Sequence, residues 1–278
     1  MIIDKKQTGN LAKQVRRDII ELTHKAGTSG THIGSSLSMV ELITVLYNDI
    51  LTLNKEDLTD EKRDRFILSK GHGAMAMYAA MHRVGILSDE DMQTFKKNGS
   101  KFSTHPSINL KKGIEFSTGS LGHGLSLGVG SAMALKLKQN CTSKVFVLMG
   151  DGECDEGSIW EAAMSAYHYN LDNLILIIDK NNLQLDGEIN KIMNLASLES
   201  KFKSFGWEVS NILDGHNVEE IFNVLKEVKD NQKIPHLVIA ETVKGKGVSF
   251  IENRYNWHIG VLSDELYEQA IKELEIYD

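Results

Sequence analysis

Three short runs of almost uninterrupted apolar residues constrain the fold of this chain more than any other feature of its sequence. They are KVFVLM at 144–149, LILIID at 174–179 and HLVIAET at 236–242. A strand with one face in water alternates apolar and polar residues, whereas a parallel strand covered on both faces is apolar throughout. Segments with helical spacing separate the runs, near 156–168, 197–205 and 217–229. The sequence therefore predicts an α/β fold, a mostly parallel sheet with helices on both faces.

The rest of the chain continues the alternation of strands and helices. Helical spacing predicts helices at 10–26, capped by Asn10, at 37–51 and at 263–275, while RFILS at 65–69 predicts a further strand. The glycines of STGSLGHGLSLGVGSAMALKLK suit a helix that starts close to a ligand or to another backbone. Neither a repeat nor a linker is evident, so we expect one domain over residues 1–278.

Charge and cysteine content exclude several classes of function. A net charge of −7 and a pI near 5.8 argue against a nucleic-acid partner or an acidic membrane. The two cysteines, Cys141 and Cys154, have neither metal-binding nor disulfide spacing. The first ten residues contain no apolar leader, and LILII is too short to cross a bilayer. We therefore expect a cytoplasmic protein without a membrane partner.

An acidic loop with three glycines follows the strand at 144–149. Residues 150–157 have the sequence GDGECDEG and contain four carboxylates: Asp151, Glu153, Asp155 and Glu156. Glycines after a strand are typical of loops whose backbone amides bind phosphate, but carboxylates repel that group. Either the loop binds no phosphate, or a positive group lies between the acids and the phosphate.

Asp151 and Asn181 each come just after a predicted strand. Ligands of open α/β sheets bind at the carboxyl ends of the strands, so these side chains share one crevice if their strands are neighbours. A carboxylate, an amide oxygen and a loop carbonyl suit Mg²⁺ or Ca²⁺, and substrate phosphates commonly complete such a site. A divalent cation would then be the positive group.

Three other interpretations of the loop compete with a cation site. An EF-hand would need glycine at the sixth position from Asp151, where Glu156 stands. A dinucleotide-binding fingerprint would need its third glycine where Asp155 stands. An acidic, solvated turn after a core strand, with the asparagines in an unrelated turn, stays open.

Several stretches of the chain resemble thiamine diphosphate enzymes. GDG followed by Asn181 resembles their diphosphate-binding motif. The transketolase branch is matched by GDGECDEGSIWEA, DKNNLQLDG, SGTHIGSSLS, DRFILSKGHGAMAMYAAMHRVG, HPS, STGSLGHGLS and WHIG. The resemblance covers essentially the whole chain and implies the thiamine diphosphate-binding fold. Full-length members of that family continue into a pyrimidine-binding and a C-terminal domain, so the chain resembles the N-terminal subunit of a split transketolase.

The resemblance also implies the metal and cofactor contacts. The side chains of Asp151 and Asn181 and the main-chain carbonyl of Leu183 would bind Mg²⁺, with Ca²⁺ as a substitute. Thiamine diphosphate would contact His32, His72, Gly119, Ser120, Leu121, Gly150, Asp151, Gly152, Asn181 and His258. Glu156 would lie at the interface between cofactor sites and serve assembly.

Four histidines match family positions that face the cofactor and the sugar: His32, His72, His105 and His258. Imidazole titrates near neutrality and both donates and accepts hydrogen bonds, which suits proton transfer at sugar hydroxyls and carbonyls. The resemblance implies that His32, His105 and His258 are catalytic. WHIG has one residue more between its histidine and glycine than the family pattern. The histidines without a matching motif are expected to be structural: His24, His82, His168, His216 and His236.

The function implied by the resemblance is transfer of a two-carbon ketol unit from a ketose phosphate to an aldose phosphate, as in the pentose phosphate pathway. It would require a partner chain with the pyrimidine-binding half, in an α2β2 heterotetramer. Alternatives are the cofactor-binding subunit of a 2-oxoacid dehydrogenase, a subunit similar to deoxyxylulose-phosphate synthase, and a non-catalytic cofactor-binding partner.

Overall fold

A computed structural model of the chain, described over residues 3–138 and 142–276, contains a parallel five-stranded sheet. Its spatial order is β1-β2-β3-β5-β4. The strands are β1 (Arg65–Leu68), β2 (Val145–Gly150), β3 (Leu174–Lys180), β4 (Glu208–Ile212) and β5 (His236–Glu241). The prediction of an α/β fold with a parallel sheet is confirmed.

The apolar runs are buried on both faces of this sheet. In β2, Phe146 and Leu148 face one hydrophobic cluster, while Val147 and Met149 face the other. Successive side chains of a strand point to opposite faces, so a strand between two helical layers needs apolar residues at every position.

Helices cover both faces. The first face packs against α1 (Lys5–Lys25), α2 (Ile33–Leu37), α3 (Val40–Val45), α4 (Ala74–Arg83), α10 (Val218–Asn231) and α11 (Asp264–Ile276). The second face packs against α6 (His123–Leu137), α7 (Gly157–His168) and α9 (Leu198–Ser204). Two short helices, α5 (Asp89–Gln93) and α8 (Ile189–Ile192), lie in connections. The predicted helices at 156–168, 197–205, 217–229 and 263–275 are confirmed to within two residues.

Two helix predictions near the N-terminus are wrong in detail. Helix α1 begins at Lys5, and Asp4 is its cap, because the Asp4 carboxylate accepts a hydrogen bond from the Gln7 amide (3.0 Å). Asn10 therefore lies inside the helix. The single helix predicted at 37–51 is interrupted at Met39 and ends in a π-helical turn, Leu46–Ile50.

Strand β4 was not predicted from the sequence. It pairs only with β5 among the described strands, and most of its residues are half-buried or exposed. An edge strand of this kind lacks the continuous apolar signal of the three central strands.

The start of the glycine-rich helix α6 packs directly on the end of β1. A β-carbon at Gly124 would lie 2.1 Å from Ser69 Oγ and 2.7 Å from Ser69 Cα. The expectation of a close backbone approach is therefore confirmed at this position.

Cys154 is buried, and Cys141 lies outside the described residues. Over 3–138 and 142–276, every helix is too short or too polar to cross a membrane.

Candidate functional site

A cavity of about 260 Å³ lies at the carboxyl edge of the sheet. The segments that follow β1, β2, β3 and β5 all reach it, as the binding rule for open α/β sheets predicts. Its lining consists of His32, Ser35, Lys70, His72, His105, Gly119, Leu121, Gly150, Asp151, Gly152, Glu153, Asn181, Leu183, Gln184, Leu185, Lys244 and His258.

Asp151 is a buried carboxylate at the end of β2. Its Oδ1 accepts a hydrogen bond from the Gly152 amide (2.9 Å), and its Oδ2 accepts one from the Asn182 amide (2.6 Å). Burial, together with the nearby Asp179 carboxylate, raises the pKa of Asp151 to about 7. A carboxylate with such a raised pKa gains from a cation placed beside it.

The other two predicted metal ligands lie in the turn after β3. Asn181 Oδ1 accepts a hydrogen bond from the Leu183 amide (3.1 Å), and the Leu183 carbonyl accepts one from Lys244 Nζ (3.1 Å). Strands β2 and β3 are neighbours, with Gly150 opposite Asp179, which brings this turn next to Asp151. The shared crevice expected from the sequence is present.

This set of oxygens fits a hard divalent cation whose coordination a phosphate completes. Over residues 3–138 and 142–276, no group of three or more histidine, cysteine, aspartate and glutamate side chains could hold a metal ion. A cation at Asp151 would therefore depend on the Asn181 amide, the Leu183 carbonyl and oxygens from outside the chain. Mg²⁺ is commonly bound in this way, through one or two carboxylates and substrate phosphates.

The remaining carboxylates of the acidic loop have structural partners or face solvent. Glu153 is buried and accepts hydrogen bonds from the Ser69 hydroxyl and from the amides of Gly122 (2.9 Å) and Gly150 (3.3 Å). Asp155 accepts one from Gln184 (3.0 Å), and Glu156 is exposed. Of the four carboxylate residues of the loop, Asp151 and Glu153 line the cavity, and Glu153 already accepts three hydrogen bonds from the chain.

The four histidines that match the family pattern form one cluster. The ring of His32 lies 5.5 Å from His72, 5.2 Å from His105 and 5.4 Å from His258, between ring centroids. The rings of His72 and His258 are 5.1 Å apart. The structure thus brings together side chains from four distant segments, as predicted.

The pKa of each of these imidazoles is lowered from its ordinary value in the free chain. Burial, followed by the charge of His105, lowers the pKa of His32 to about 4. Burial, followed by the charge of Lys244, lowers the pKa of His258 to about 3, and burial also lowers the pKa values of His72 and His105. The rings are therefore neutral at pH 7, each with one donor and one acceptor nitrogen. His32 Nδ1 is buried and has no partner within the described residues.

Two lysines that were not predicted from the sequence supply the positive charge of the cavity. Lys70 pairs with the buried Asp179 and donates to the Ser35 carbonyl (3.1 Å). Lys244 Nζ lies 3.1 Å from His258 Nδ1 and donates to the Gln184 carbonyl (3.2 Å) as well as to Leu183. Burial, followed by the charge of Lys70, lowers the pKa of Lys244 to about 8. Both lysines follow strands of the sheet within glycine-containing segments, SKGHG and VKGKG, which is the signal that could have identified them.

The predicted segment 119–121 is divided between two surfaces. Gly119 and Leu121 line the cavity, whereas Ser120 lines a separate surface cavity with His123 and Leu127. Gly119 has φ +139°, and a β-carbon there would lie 2.7 Å from His105 Cδ2. The glycine therefore leaves room for the imidazole of His105.

Comparison with solved structures gives the class of protein. The transketolase from Leishmania mexicana superimposes with a TM-score of 0.86 at 26% identity, over 99% of this chain and 42% of that one. The transketolase from Campylobacter jejuni superimposes with a TM-score of 0.85 at 31% identity, over 99% of this chain and 43% of that one. The chain thus spans about two-fifths of these enzymes. The fold is the α/β fold that binds thiamine diphosphate.

The family is defined by the sequence comparisons. Residues 8–276 match the family model "Transketolase, thiamine diphosphate binding domain". The chain is 44% identical to one subunit of the apulose-4-phosphate transketolase of Phocaeicola vulgatus, over 93% of this chain and 90% of that protein. It is 38% identical to a 6-deoxy-6-sulfo-D-fructose transketolase subunit of a Clostridium species, over 95% and 94%. The chain belongs to the transketolase family.

Proposed function

We propose that the chain is the diphosphate-binding subunit of a two-chain transketolase, folded as one domain and active in the cytoplasm with thiamine diphosphate and Mg²⁺. One observation carries the proposal: Asp151, four neutral histidines and two lysines meet in a single cavity at the carboxyl edge of the sheet. The length of the chain supports this role, because it covers 90–94% of the relatives named as subunits but only 42–43% of the solved transketolases.

The polar groups of the cavity fit both Mg²⁺ and the diphosphate of the cofactor. Asp151, Asn181 Oδ1 and the Leu183 carbonyl would hold Mg²⁺, and the Lys244 ammonium is placed to neutralise diphosphate oxygens. His72 would donate to the diphosphate. Gly150 and Gly152 would expose backbone to it, since a β-carbon at Gly150 would meet nothing within 4 Å.

Three histidines would act on the sugar. His32, His105 and His258 are neutral, so each offers a donor and an acceptor to sugar hydroxyls and carbonyls. The Nδ1 atom of His32, which is buried and has no hydrogen-bond partner in residues 3–138 and 142–276, supports such a bond. Thiamine diphosphate, when bound, supplies the nucleophilic carbon for ketol transfer. The chain's own residues orient the substrate and exclude water.

A partner chain would complete the cavity. Two apolar side chains are about half exposed here: Leu185 (53%), which lines the cavity, and Ile259 (51%), which follows the lining residue His258 in the chain. Exposed apolar groups beside a binding site mark a surface that another protein covers. The similar apulose-4-phosphate transketolases are named as divided into subunits, which supports a second chain with the pyrimidine-binding half. We propose an α2β2 heterotetramer.

The substrates proposed are anionic ketoses and aldoses. Sugar phosphates of the pentose phosphate type were expected from the sequence. The names of the relatives widen the class to apulose 4-phosphate and 6-deoxy-6-sulfo-D-fructose. A non-catalytic role is the second candidate, but a chain without catalysis would not need Asp151, Asn181 and all four histidines.

Native mass spectrometry of the tagged chain, purified from its own host with Mg²⁺ and thiamine diphosphate, tests the proposal. We expect a complex with a second chain that retains cofactor and metal and exchanges ketol units between sugar phosphates. Asp151→Ala should lose metal and cofactor, whereas the matched Asp155→Ala in the same loop should keep both. A complex without cofactor, or equal retention in the two variants, would refute the assignment.

A further inference from the structure

The backbone around Lys244 is held by a buried ionic cluster that does not line the cavity. The cluster consists of Glu41, Arg16 and His216. Glu41 accepts a hydrogen bond from Arg16 Nη2 (2.7 Å) on one oxygen and from His216 Nδ1 (2.9 Å) on the other. Burial acts to raise the pKa of Glu41, but Arg16 and His216 together keep it below its ordinary value. Glu41 is therefore an anion that fixes both partners.

The second nitrogen of His216 contacts the segment that carries Lys244. The Val243 amide donates to His216 Nε2 (2.9 Å). A backbone N–H can only donate, so Nε2 must be the acceptor and the proton of the neutral ring must be on Nδ1. This is the tautomer that Glu41 requires. The two hydrogen bonds therefore select one ring orientation and one tautomer.

Two further bonds fix the backbone on the other side of Lys244. Arg16 Nε donates to the Lys246 carbonyl (2.9 Å), and the Gly245 amide donates to the Gly34 carbonyl (3.0 Å). The side chain of Lys244 extends in the opposite sense, into the cavity, where Nζ contacts Leu183, Gln184 and His258. A flexible four-carbon side chain is directed most reliably when its backbone cannot rotate.

We propose that His216 is a positioning residue for Lys244: held by Glu41 and Arg16, it fixes the Val243 amide so that the Lys244 ammonium points at the diphosphate position. The proposal rests on the proposed function for the identity of the ligand. It changes the interpretation of His216, which was expected from the sequence to be one of the structural histidines.

Two substitutions separate the two bonds of His216. In His216→Asn the side-chain amide can still donate to Glu41, but it is too short to reach Val243. In His216→Gln the longer side chain places an oxygen where Nε2 stood, and the bond from Val243 can form again. His236 is a matched control: its side chain is equally buried, at 10% exposure, and its Nε2 bonds to Ser210 Oγ (2.9 Å) at the opposite edge of the sheet.

The first measurement is the acylation rate of Lys244 in the folded, cofactor-free full chain, by peptide mass spectrometry. We expect His216→Asn to raise this rate by at least about threefold, because a loosened segment exposes the amine, and His216→Gln to restore it. His236→Asn should leave it unchanged. An unchanged rate in folded His216→Asn would overturn the proposal.

The second measurement is calorimetric binding of thiamine diphosphate with Mg²⁺, to the chain in its complex. Loss of an orienting partner typically costs 10–100-fold, so we expect affinity about tenfold weaker in His216→Asn, with recovery in His216→Gln. An affinity equal to that of His236→Asn would overturn the proposal. If the unaltered complex bound no cofactor, the proposed function would fail, while the acylation rates would still decide the role of His216.

Discussion

Replacing Asp151 by asparagine is predicted to stabilise the metal-free chain at neutral and alkaline pH. Burial, followed by the charge of Asp179, raises the pKa of the Asp151 carboxyl to about 7 in the folded chain. At pH values between the ordinary pKa of this carboxyl and about 7, the folded state keeps a proton that the unfolded state has released. The contribution of this group to stability therefore falls as the pH rises through that window. Asparagine carries no charge and avoids this loss, although its amide nitrogen cannot accept one of the two backbone hydrogen bonds that Asp151 accepts, which offsets part of the gain by about 1–3 kcal/mol.

The magnitude follows from the displacement of the pKa. A change from 3.8 to about 7 corresponds to about 4 kcal/mol at pH values above 7, since a tenfold change in an equilibrium is about 1.4 kcal/mol. The free energy of unfolding of Asp151→Asn should therefore exceed that of the unaltered chain by up to about 4 kcal/mol near pH 8. The difference between the two proteins should become independent of pH only below the ordinary pKa of 3.8, where Asp151 is protonated in both the folded and the unfolded state.

Urea unfolding followed by tryptophan fluorescence, with EDTA present, measures this difference at several pH values. Asp64→Asn is the control, since Asp64 is a buried carboxylate at the other edge of the sheet whose charge is paired with Lys229 (2.6 Å). That substitution should destabilise the chain near pH 8, because it leaves the half-buried Lys229 ammonium without the carboxylate that balances its charge. An Asp151→Asn variant no more stable than the unaltered chain near pH 8 would refute the reasoning.

Two further substitutions probe packing and charge beneath the cavity, each by urea unfolding. Gly124→Ala should destabilise the chain by about 1–3 kcal/mol, because the added β-carbon would overlap Ser69. Gly130→Ala is the control, since a β-carbon there would meet nothing within 4 Å and should not destabilise the chain. Equal effects of the two substitutions would contradict the close packing at Gly124. Asp179→Asn should lower the free energy of unfolding by about 3–5 kcal/mol, because it leaves the buried Lys70 ammonium without its ion-pair partner. Adding Lys70→Met to that variant should restore part of the lost stability. If Asp179→Asn alone caused no loss of stability, the ion pair would be contradicted.

The sequence predicts the central sheet well because its signal is local. Every residue of β2 and β3 up to their last positions is buried, so the apolar runs can be identified without knowledge of the partners. Strand β4 was missed because only Ile212 of its five residues is buried. The start of α1 was missed because Asp4 and Asn10 are both acceptable caps, and only the backbone decides which one is used.

The site was predictable where a motif carried it and not where long-range packing did. Asp151, Asn181 and the four histidines belong to recognisable stretches. The position of Lys244 depends on its contact with the turn after β3, sixty positions away along the chain, and on the Glu41 cluster that holds the neighbouring backbone. Such contacts leave no periodic or compositional signature.

The histidine cluster has a consequence for how the cavity responds to its surroundings. Imidazoles gathered in one place ordinarily act as a buffer near neutrality. Here the pKa values of His32 and His258 lie at about 4 and about 3, while that of Lys244 lies at about 8. Asp151, whose pKa is about 7, and Lys244 therefore titrate closer to neutrality than His32 and His258, and the net charge of the cavity falls as the pH rises through these two pKa values. Moderate acidification strengthens the attraction of the cavity for anions, and alkaline conditions weaken it.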